Sequence, residues 1–317
     1  MKQHITIPPL QNIIITDPLF GRYVDIVAEK LIPYQWKILN DQIPGIEKSY
    51  CMENFRAAAG KQPGMHRGMV FCDTDLYKWI ETLGYCLAAG HAKDYEPFAE
   101  EAIALIAASQ EEDGYLNTYY TLNCPDKKWT NLVEGHELYS GGHLIEAAIS
   151  YYQATGKTQL LDVACRFADL TCRIFGADGL MPDGCPGHQE IELALMKLYE
   201  ITQNRSYAEL AKHFLEVRGN ASGFLLENLK QQGKDRIFPE FADYDAGYAQ
   251  SHLPPKDQTT AEGHAVRAMY MYSAMADVAK TYGDDALKKA CTTLWKNVTG
   301  KRMYITGGIG SSGHLER

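Results

Sequence analysis

The stretch TGKTQLLDVA at residues 155–164 indicates the fold, because its pattern occurs twice more along the chain. The other copies are TQNRSYAELA at residues 202–211 and TYGDDALKKA at residues 281–290. Each copy opens with threonine, passes through a short polar turn, and resumes with an apolar residue and a final alanine. A polar turn that recurs between helical stretches predicts a series of helical hairpins.

Apolar residues around these turns follow helical spacing, and period-two alternation is scarce. The one candidate strand is IIIT at residues 13–16. The sequence therefore predicts an all-α fold, with an extended N-terminal segment over residues 1–20 that contains a short strand, and one helical domain over residues 21–317. Three stripes predict the buried faces of three helices: Leu76, Trp79, Ile80, Leu83 and Leu87; Leu161, Ala164, Ala168 and Phe175; Val266, Met269, Tyr270 and Ser273.

The hairpins recur at irregular intervals, 47 residues from Thr155 to Thr202 and 79 residues from Thr202 to Thr281. A strict solenoid would keep its period, whereas a closed ring of hairpins tolerates long loops at its functional end. We interpret residues 220–258, a stretch that contains glycine, aspartate and proline, as such a loop. About ten helices are expected, so a ring of six hairpins, an (α/α)6 toroid, would be incomplete at its C-terminus.

Composition and charge exclude several classes of protein. The net charge of −9 over 317 residues argues against nucleic acid or an anionic membrane as the main partner. The N-terminus lacks the features of a signal peptide, and no stretch approaches the roughly 18 apolar residues of a membrane span. Eight cysteines without a CxxC pair predict reduced thiols in the cytoplasm. The sequence does not indicate an oligomeric state.

Six of the ten histidines directly follow a glycine, although 27 glycines in 317 residues would place fewer than one there at random. His136, His188 and His264 come 14 to 19 residues before the threonine of a hairpin turn, near the start of a first helix. A helix N-terminus disfavours a charged imidazolium, so these side chains should be neutral. Neutral imidazoles are suited to hydrogen bonding with sugar hydroxyls. Each histidine taken singly could instead cap a helix or fill a gap, and His143 fits that packing role better.

Carboxyl groups are the other requirement of glycosidic bond cleavage, which needs a proton for the leaving oxygen and a second group on the opposite side. Acidic residues at helix starts are commonly caps. Glu316 differs because the glycine-rich run GGIGSSG at residues 307–313 precedes it, as is typical of a loop that approaches a ligand closely. The candidates near the helix starts are Glu134, Glu137, Glu190, Glu262 and Glu316.

Six motifs run in order along the chain: FCDTDLYKWIE (71–81), DGYLNTYY (113–120), NLVEGHELYSGGHLIEAA (131–148), DGCPGHQEIELALMKLYEIT (183–202), AEGHAVRAMYMYSAMADVA (261–279) and RMYITGGIGSS (302–312). With these motifs the sequence resembles glycoside hydrolase family 127, whose characterised members are β-L-arabinofuranosidases. The resemblance covers essentially all 317 residues. It implies an (α/α)6 barrel followed by C-terminal β-sandwich domains, and we expect the barrel to be incomplete and the sandwich domains to be absent here.

The resemblance also implies roles for particular residues. It assigns sugar contacts to His136, His188 and His264, and the general acid/base to Glu316. It predicts a retaining hydrolase that releases L-arabinose from an arabinofuranoside. The family's nucleophile is a cysteine thiolate held on zinc together with a glutamate and two further cysteines. Those ligands would lie beyond Arg317, so we expect no metal site and no cofactor in this chain, and no turnover by these 317 residues alone.

Other functions remain open on the residues alone. A sugar epimerase on the same helical toroid would use a pair of histidines to move a proton beside a carbonyl group, without zinc. A non-catalytic helical or sugar-binding remnant would tolerate loss of the three histidines with a change in stability but none in sugar affinity. A third possibility keeps the hydrolase fold and changes the sugar.

Overall fold

The structure is a computed structural model that describes residues 8–220, 222–239, 244–313 and 316–317. Helices dominate, and none of the described residues forms a strand. The predicted fold class, all-α and built of helical hairpins of the (α/α)6 type, is confirmed. The described α-helices are α1 Pro18–Ile26, α2 Ile32–Leu39, α3 Cys51–Ala58, α4 Asp73–Ala88, α5 Glu96–Ser109, α6 Thr118–Asn123, α7 Glu137–Thr155, α8 Gln159–Phe175, α9 Ile191–Thr202, α10 Arg205–Val217, α11 Ser222–Gln231, α12 Ala265–Tyr282 and α13 Asp285–Asn297.

The chain divides into two compact units. The first unit holds the described residues up to Glu112, together with Leu116–Asn123 and Glu146–Ala164. The second unit holds Asp113–Tyr115, Cys124–Ile145 and the described residues from Cys165 onward. Every residue that the sequence predicts for the site belongs to the second unit.

The hairpin turns share one physical basis, a left-handed residue that ends the first helix followed by a cap that begins the second. Gln203 ends α9 with a φ of 59°, and the side chain of Asn204 accepts a hydrogen bond from the backbone N–H of Ser206. Gly283 ends α12 with a φ of 68°, and Asp284 caps α13. This local chemistry explains why the turn could be recognised from sequence.

The predicted strand at residues 13–16 does not form. Ile13 has extended backbone, with φ −102° and ψ 117°, but no second strand lies beside it among the described residues. Extended backbone forms a strand only where a neighbour accepts and donates its hydrogen bonds. Helix α1 then begins at Pro18, because Asp17 accepts hydrogen bonds from the backbone N–H groups of Leu19 and Phe20, both at 2.9 Å. The helical region thus begins inside the predicted N-terminal segment.

Two of the three predicted buried stripes agree with the structure, and the third is wrong. On α4 and α8 the predicted residues are buried, apart from the half-buried Leu87. On α12, Val266 and Ser273 are exposed. This helix is apolar on most of its circumference, so spacing alone does not select its buried face. Packing against α9, α10 and α13 selects it instead. The face buried by that packing contains Arg267, Ala268, Met271, Ala274, Met275, Val278 and Ala279.

The stretch predicted as one long loop, residues 220–258, is partly helical. It contains α11 and two short 3₁₀ turns, Gly233–Asp235 and Pro255–Asp257. Leu225 and Leu229 are buried and lie one helical turn apart, which is the helical signal hidden within this polar segment.

No helix of the described residues combines the length and the apolar character needed to cross a membrane. The eight cysteines, all of which lie among the described residues, form no disulfide.

Candidate active site

Three imidazoles meet at the starts of three helices in the second unit. His136 directly precedes α7, His188 lies on the loop before α9, and His264 is the N-cap of α12. The ring centroids of His136 and His188 are 5.7 Å apart, and those of His188 and His264 are 5.3 Å apart. His136 is half-buried, whereas His188 and His264 are buried. The structure therefore brings together the three histidines that the sequence groups.

The glycine before His188 permits a direct crossing of two backbone segments. The backbone N–H of Gly187 donates to the carbonyl of Leu132 at 2.9 Å. A Cβ atom at this position would lie 2.4 Å from that carbonyl oxygen and 2.5 Å from the Cα of Val133, so no other residue fits without displacement. Residues 132–133 lead directly to His136, so this crossing draws the two imidazoles together.

The glycine before His264 has the same function. A Cβ atom on Gly263 would lie 2.2 Å from the carbonyl oxygen of Gly247, and the φ of Gly263 is +72°, which disfavours any side chain. The next backbone N–H, that of His264, donates to the carbonyl of Tyr248 at 3.2 Å. These two positions give two of the repeated Gly-His pairs a structural reason.

Hydrogen bonds fix the tautomers of the first two histidines. The Nδ1 atom of His136 lies 2.5 Å from the carbonyl oxygen of Glu134, and Nδ1 of His188 lies 2.7 Å from the carbonyl oxygen of Gln189. Because a carbonyl oxygen can only accept, Nδ1 carries the proton in both rings. The neutral form of each ring therefore has its lone pair on Nε2, which can accept a hydrogen bond from a hydroxyl group.

His264 has the opposite tautomer. Its Nδ1 accepts a hydrogen bond from the backbone N–H of Arg267 at 3.3 Å, so the neutral ring carries its proton on Nε2. That Nε2 atom contacts the carboxylate of Glu316. The row of imidazoles thus presents two acceptors followed by one donor, and the donor is directed at a carboxyl group.

Burial and a nearby guanidinium disfavour the charged forms of two of these rings. The pKa of His188 is well below its usual range because the ring is buried and because Arg267 lies close to it. The pKa of His264 is also lowered by burial and by Arg267, and the carboxylate of Glu316 offsets part of this effect. Both imidazoles are therefore neutral at neutral pH, as expected from their positions at helix starts.

Glu316 lies at the start of α12. Its backbone carbonyl accepts a hydrogen bond from the N–H of Ala265 at 2.9 Å, and its side chain is 70% exposed. A cavity of about 430 Å³ lies beside it, lined by Val266 and by the glycine- and serine-rich residues 309–313. The carboxyl group therefore contacts His264, at the end of the row of imidazoles, and is otherwise largely open to solvent.

Glu137, another candidate, has a structural role. Its carboxyl oxygens accept hydrogen bonds from the hydroxyl of Tyr115 at 2.5 Å and from the backbone N–H of Trp129 at 2.9 Å. Burial raises its pKa to about 8. The group anchors the Trp129 loop to the start of α7.

Glu134 positions a second loop at the edge of the site. Its buried carboxylate accepts from Nε of Arg236 at 2.7 Å and from the backbone N–H of Ile237 at 2.9 Å. These contacts place the ring of Phe238 at 6.0 Å from the ring of His136. Phe238 was not predicted, because its place depends on this contact between distant segments.

The remaining candidate glutamates also have other partners. Glu190 is buried with its Oε1 atom 3.6 Å from Nδ1 of His143, so His143 packs inside the protein as the sequence suggested. Glu262 is exposed and lies 3.8 Å from the guanidinium of Arg302.

Two tyrosines that the sequence analysis did not assign to the site lie against the imidazoles. The ring centroid of Tyr139 is 4.3 Å from that of His188 and 4.6 Å from that of His143. The ring of Tyr270 is 6.2 Å from that of His188. Tyr139 follows His136 by three residues, and this helical spacing was the signal that could have identified it. Flat rings of this kind suit contact with a sugar.

The described residues contain no cluster suited to a zinc ion. Among the described residues, no group of three or more histidine, cysteine, aspartate or glutamate side chains is placed to hold a metal ion. Burial raises the pKa of Cys86 and Cys185, that of Cys172 to about 12, and that of Cys291 to about 11, so these thiols remain protonated at neutral pH. We therefore assign none of them as a thiolate nucleophile.

Comparison with known proteins identifies related sequences. A family model described as the β-L-arabinofuranosidase, GH127 catalytic domain, matches residues 12–317. The non-reducing end β-L-arabinofuranosidase of Bifidobacterium longum subsp. longum is 38% identical over an alignment of 317 positions, which covers 95% of this chain and 48% of that protein. The chain thus spans about half the length of the curated relative it matches.

Solved structures agree with this likeness. A GH127 β-L-arabinofuranosidase from Geobacillus stearothermophilus T6 has a TM-score of 0.91 and 47% sequence identity. The aligned region covers 96% of this chain and 48% of that protein's chain. A second GH127 β-arabinofuranosidase has a TM-score of 0.82 and 35% sequence identity. The aligned region covers 97% of this chain and 46% of that protein's chain.

Proposed function

This chain belongs to the β-L-arabinofuranosidase family, glycoside hydrolase family 127, and on that premise we propose that it supplies the sugar-binding histidines and the general acid of a retaining hydrolase that releases L-arabinose from β-L-arabinofuranosides. The observation that carries the proposal is the contact between Nε2 of His264 and the carboxylate of Glu316, at the end of a row of three imidazoles. The names of the relatives support this sugar class, and neither an epimerase nor a non-catalytic remnant is favoured.

In this proposal the imidazoles bind the sugar. Neutral His136 and His188 each have a lone pair on Nε2, which accepts a hydrogen bond from a sugar hydroxyl. The ring of Tyr139 lies against His188 and offers a flat apolar surface to the sugar. Together these groups fix the orientation of the glycosidic bond relative to Glu316.

Glu316 acts as the acid and then as the base. Its protonated carboxyl group gives a proton to the glycosidic oxygen as the bond to the anomeric carbon breaks. The resulting carboxylate takes a proton from the water that completes hydrolysis. The Nε2–H of His264 donates to one carboxyl oxygen and leaves the other oxygen to exchange the proton.

We propose that sequence outside these 317 residues supplies the nucleophile. In the longer relatives, the resemblance implies a zinc-bound cysteine thiolate, which zinc keeps deprotonated. No step is assigned to zinc here, because no group of the described residues is placed to hold it. We therefore expect these 317 residues alone to bind an arabinofuranoside without hydrolysing it. We also propose a cytoplasmic location, supported by eight cysteines without a disulfide.

Calorimetric titration of the chain with methyl β-L-arabinofuranoside tests the binding half of this proposal. We expect one site, and we expect His188→Asn to weaken it about tenfold, which is roughly the contribution of one lost hydrogen bond. His213→Gln is the matched control, because His213, on α10, is hydrogen-bonded to the carbonyl of Pro182 and takes no part in the site. Equal affinity for methyl β-D-xylopyranoside would contradict the sugar assignment.

A fusion protein tests the catalytic half. The chain is joined to the part of the Geobacillus stearothermophilus relative that lies beyond the aligned region. We expect the fusion to release arabinose from the same glycoside, and neither part to do so alone. A folded fusion that binds the sugar but releases nothing would contradict the assignment of the acid to this chain.

A further inference from the structure

Arg267 is a buried cation placed between two of the imidazoles. It lies on α12 and is 7% exposed. Its Nη1 atom donates to the carbonyl of Gly187, the residue before His188, at 2.6 Å. Its backbone N–H donates to Nδ1 of His264 at 3.3 Å. One residue therefore holds the backbone next to one imidazole and the ring of another.

The described part of the chain offers this guanidinium no direct ionic partner, and the carboxylate of Glu316 acts on it only at longer range. Among the described residues, no aspartate or glutamate lies within ion-pair distance of Arg267. Its Cζ atom lies 4.8 Å from the ring centroid of Tyr248, so a carbonyl oxygen and an aromatic face take the place of a counterion. Burying a charge without an ionic partner is costly, and a neutral side chain could make the same hydrogen bond at lower cost. The presence of a charged side chain at this position therefore calls for a physical explanation.

The groups around His188 show how the charge of Arg267 affects this ring. His188 faces His136 and Tyr139 from the segment at the start of α7, and His264 and Tyr270 from α12. None of these groups is a carboxylate. For His188, the guanidinium of Arg267 is therefore the strongest permanent charge nearby, and it opposes protonation of the ring.

His264 lies between opposite charges. Glu316 approaches its Nε2 atom and favours protonation, while Arg267 opposes it and the ring of Tyr248 lies 5.5 Å away. If His264 took up a second proton, Nδ1 would lose the lone pair that accepts the backbone N–H of Arg267. The cap of α12 therefore requires the neutral ring.

We propose that Arg267 is a positioning residue of this site. Its guanidinium ties the loop of His188 to the start of α12, and its charge adds to burial in opposing protonation of His188 and His264. His188 then keeps the Nε2 lone pair that accepts a sugar hydroxyl, and His264 keeps the cap of its helix. The sugar-binding part of this inference rests on the proposed function, whereas the effect on the imidazoles does not.

Titration of the histidines by NMR tests the effect of the charge without any sugar. We expect His188 in the unmodified chain to stay neutral, with its proton on Nδ1, at pH values where an ordinary histidine is charged. In Arg267→Gln the titration midpoints of His188 and His264 should both move upward. In Arg267→Lys, which keeps the charge, they should stay near those of the unmodified chain. Arg302→Gln, at the surface, is the matched control.

Several outcomes overturn the inference. If His188 titrates in the ordinary range in the unmodified chain, the inference is wrong. This result does not depend on whether Arg267→Gln folds. Unchanged midpoints in folded Arg267→Gln would show that the charge has no effect. Equal shifts in the Gln and Lys variants would show a purely structural role.

Sugar affinity measured against pH tests the consequence for binding. We expect Arg267→Gln to bind methyl β-L-arabinofuranoside about three- to tenfold more weakly at pH 5.5 than at pH 8, the effect of losing one accepted hydrogen bond, and the unmodified chain to change little. If the midpoints move as expected and neither protein binds the sugar, the proposed function fails and the role of Arg267 stands. If both bind equally at every pH, the link between this charge and sugar binding is wrong.

Discussion

At the scale of single residues, the site depends on the positions of a few protons. His136 and His188 carry theirs on Nδ1, where backbone carbonyls accept them, and His264 carries its proton on Nε2, next to Glu316. The same ring type thus provides both acceptors and a donor. Sugar hydroxyls both donate and accept, so this mixture suits them better than three identical groups would.

The acid role of Glu316 predicts an effect that depends on the leaving group. In the fusion protein, Glu316→Gln keeps the shape and an oxygen that accepts from His264, but removes the transferable proton. We expect turnover of the methyl glycoside to fall by about 10²- to 10⁴-fold. A nitrophenyl glycoside should lose much less, because its leaving group needs little protonation. Initial rates on both substrates measure this, with Glu262→Gln as control. Equal losses would contradict the acid role.

Glu137 predicts a pH dependence of stability. Burial raises its pKa from 4.5 to about 8 in the folded protein. Between these values the folded protein keeps a proton that the unfolded chain has released. Stability therefore falls as pH rises from about 4.5 to 8, by up to about 1.4 kcal/mol per pH unit for this one group. Urea unfolding at pH 5, 6.5 and 8 measures this.

The variant Glu137→Gln keeps the acceptor for the Trp129 backbone N–H and cannot ionise. Its free energy of unfolding should rise relative to that of the unmodified chain as the pH increases. A constant difference between the two proteins across this range would show that Glu137 does not titrate as expected.

At the scale of helices, the hairpins are held by caps whose chemistry is local. The turn between α12 and α13 joins the left-handed Gly283 to Asp284, whose carboxylate accepts the backbone N–H of Leu287 at 2.9 Å. Such a turn forms with little help from the rest of the molecule. For this reason it repeats recognisably in the sequence.

The cap predicts a defined loss of stability. Asp284→Ala should lower the free energy of unfolding by about 1 kcal/mol, whereas Asp284→Asn should be nearly neutral because asparagine caps as well as aspartate does. Thermal unfolding of both variants measures this. The exposed neighbour Asp285, replaced by alanine, is the control, and an equal loss there would mean that charge near the helix start matters more than the cap.

Sequence could predict the features that depend on neighbouring residues. Hairpin turns and helix starts are such features, and the Gly-His pairs at those starts led to the three histidines. The buried face of α12, the ring of Phe238 and the buried charge of Arg267 depend on contacts between segments far apart in the chain, and no local pattern reveals them. The expected strand at residues 13–16 failed for the same reason, because a strand requires a partner that the local sequence does not show.

At the scale of the whole chain, backbone crossings bring the separate segments of the site together. Gly187 lies directly on residues 132–133, and Gly263 lies on residues 247–248. Side chains could shift to absorb a change at such a point, but backbone atoms cannot do so without moving the segments. The distances between the imidazoles therefore depend on the absence of a Cβ atom at Gly187 and Gly263.

Gly187→Ala should reveal this dependence. The added methyl group meets backbone atoms at 2.4–2.5 Å, so we expect a loss of about 1–3 kcal/mol in stability and a clear loss of sugar affinity as His188 moves from His136. Thermal unfolding and calorimetry measure the two effects. Gly223→Ala is the control, because nothing lies within 4 Å of its added Cβ and alanine favours the helix. Unchanged affinity in Gly187→Ala would show that the crossing does not set the position of His188.

On the proposed function, these crossings indicate how sugar selectivity can be engineered. Because main-chain contacts set the spacing of the imidazoles, a library that varies only the aromatic side chains beside them, Tyr139, Phe238 and Tyr270, should leave that spacing intact. Selectivity among pentoses would then change with these side chains while the distances between the imidazoles stay constant.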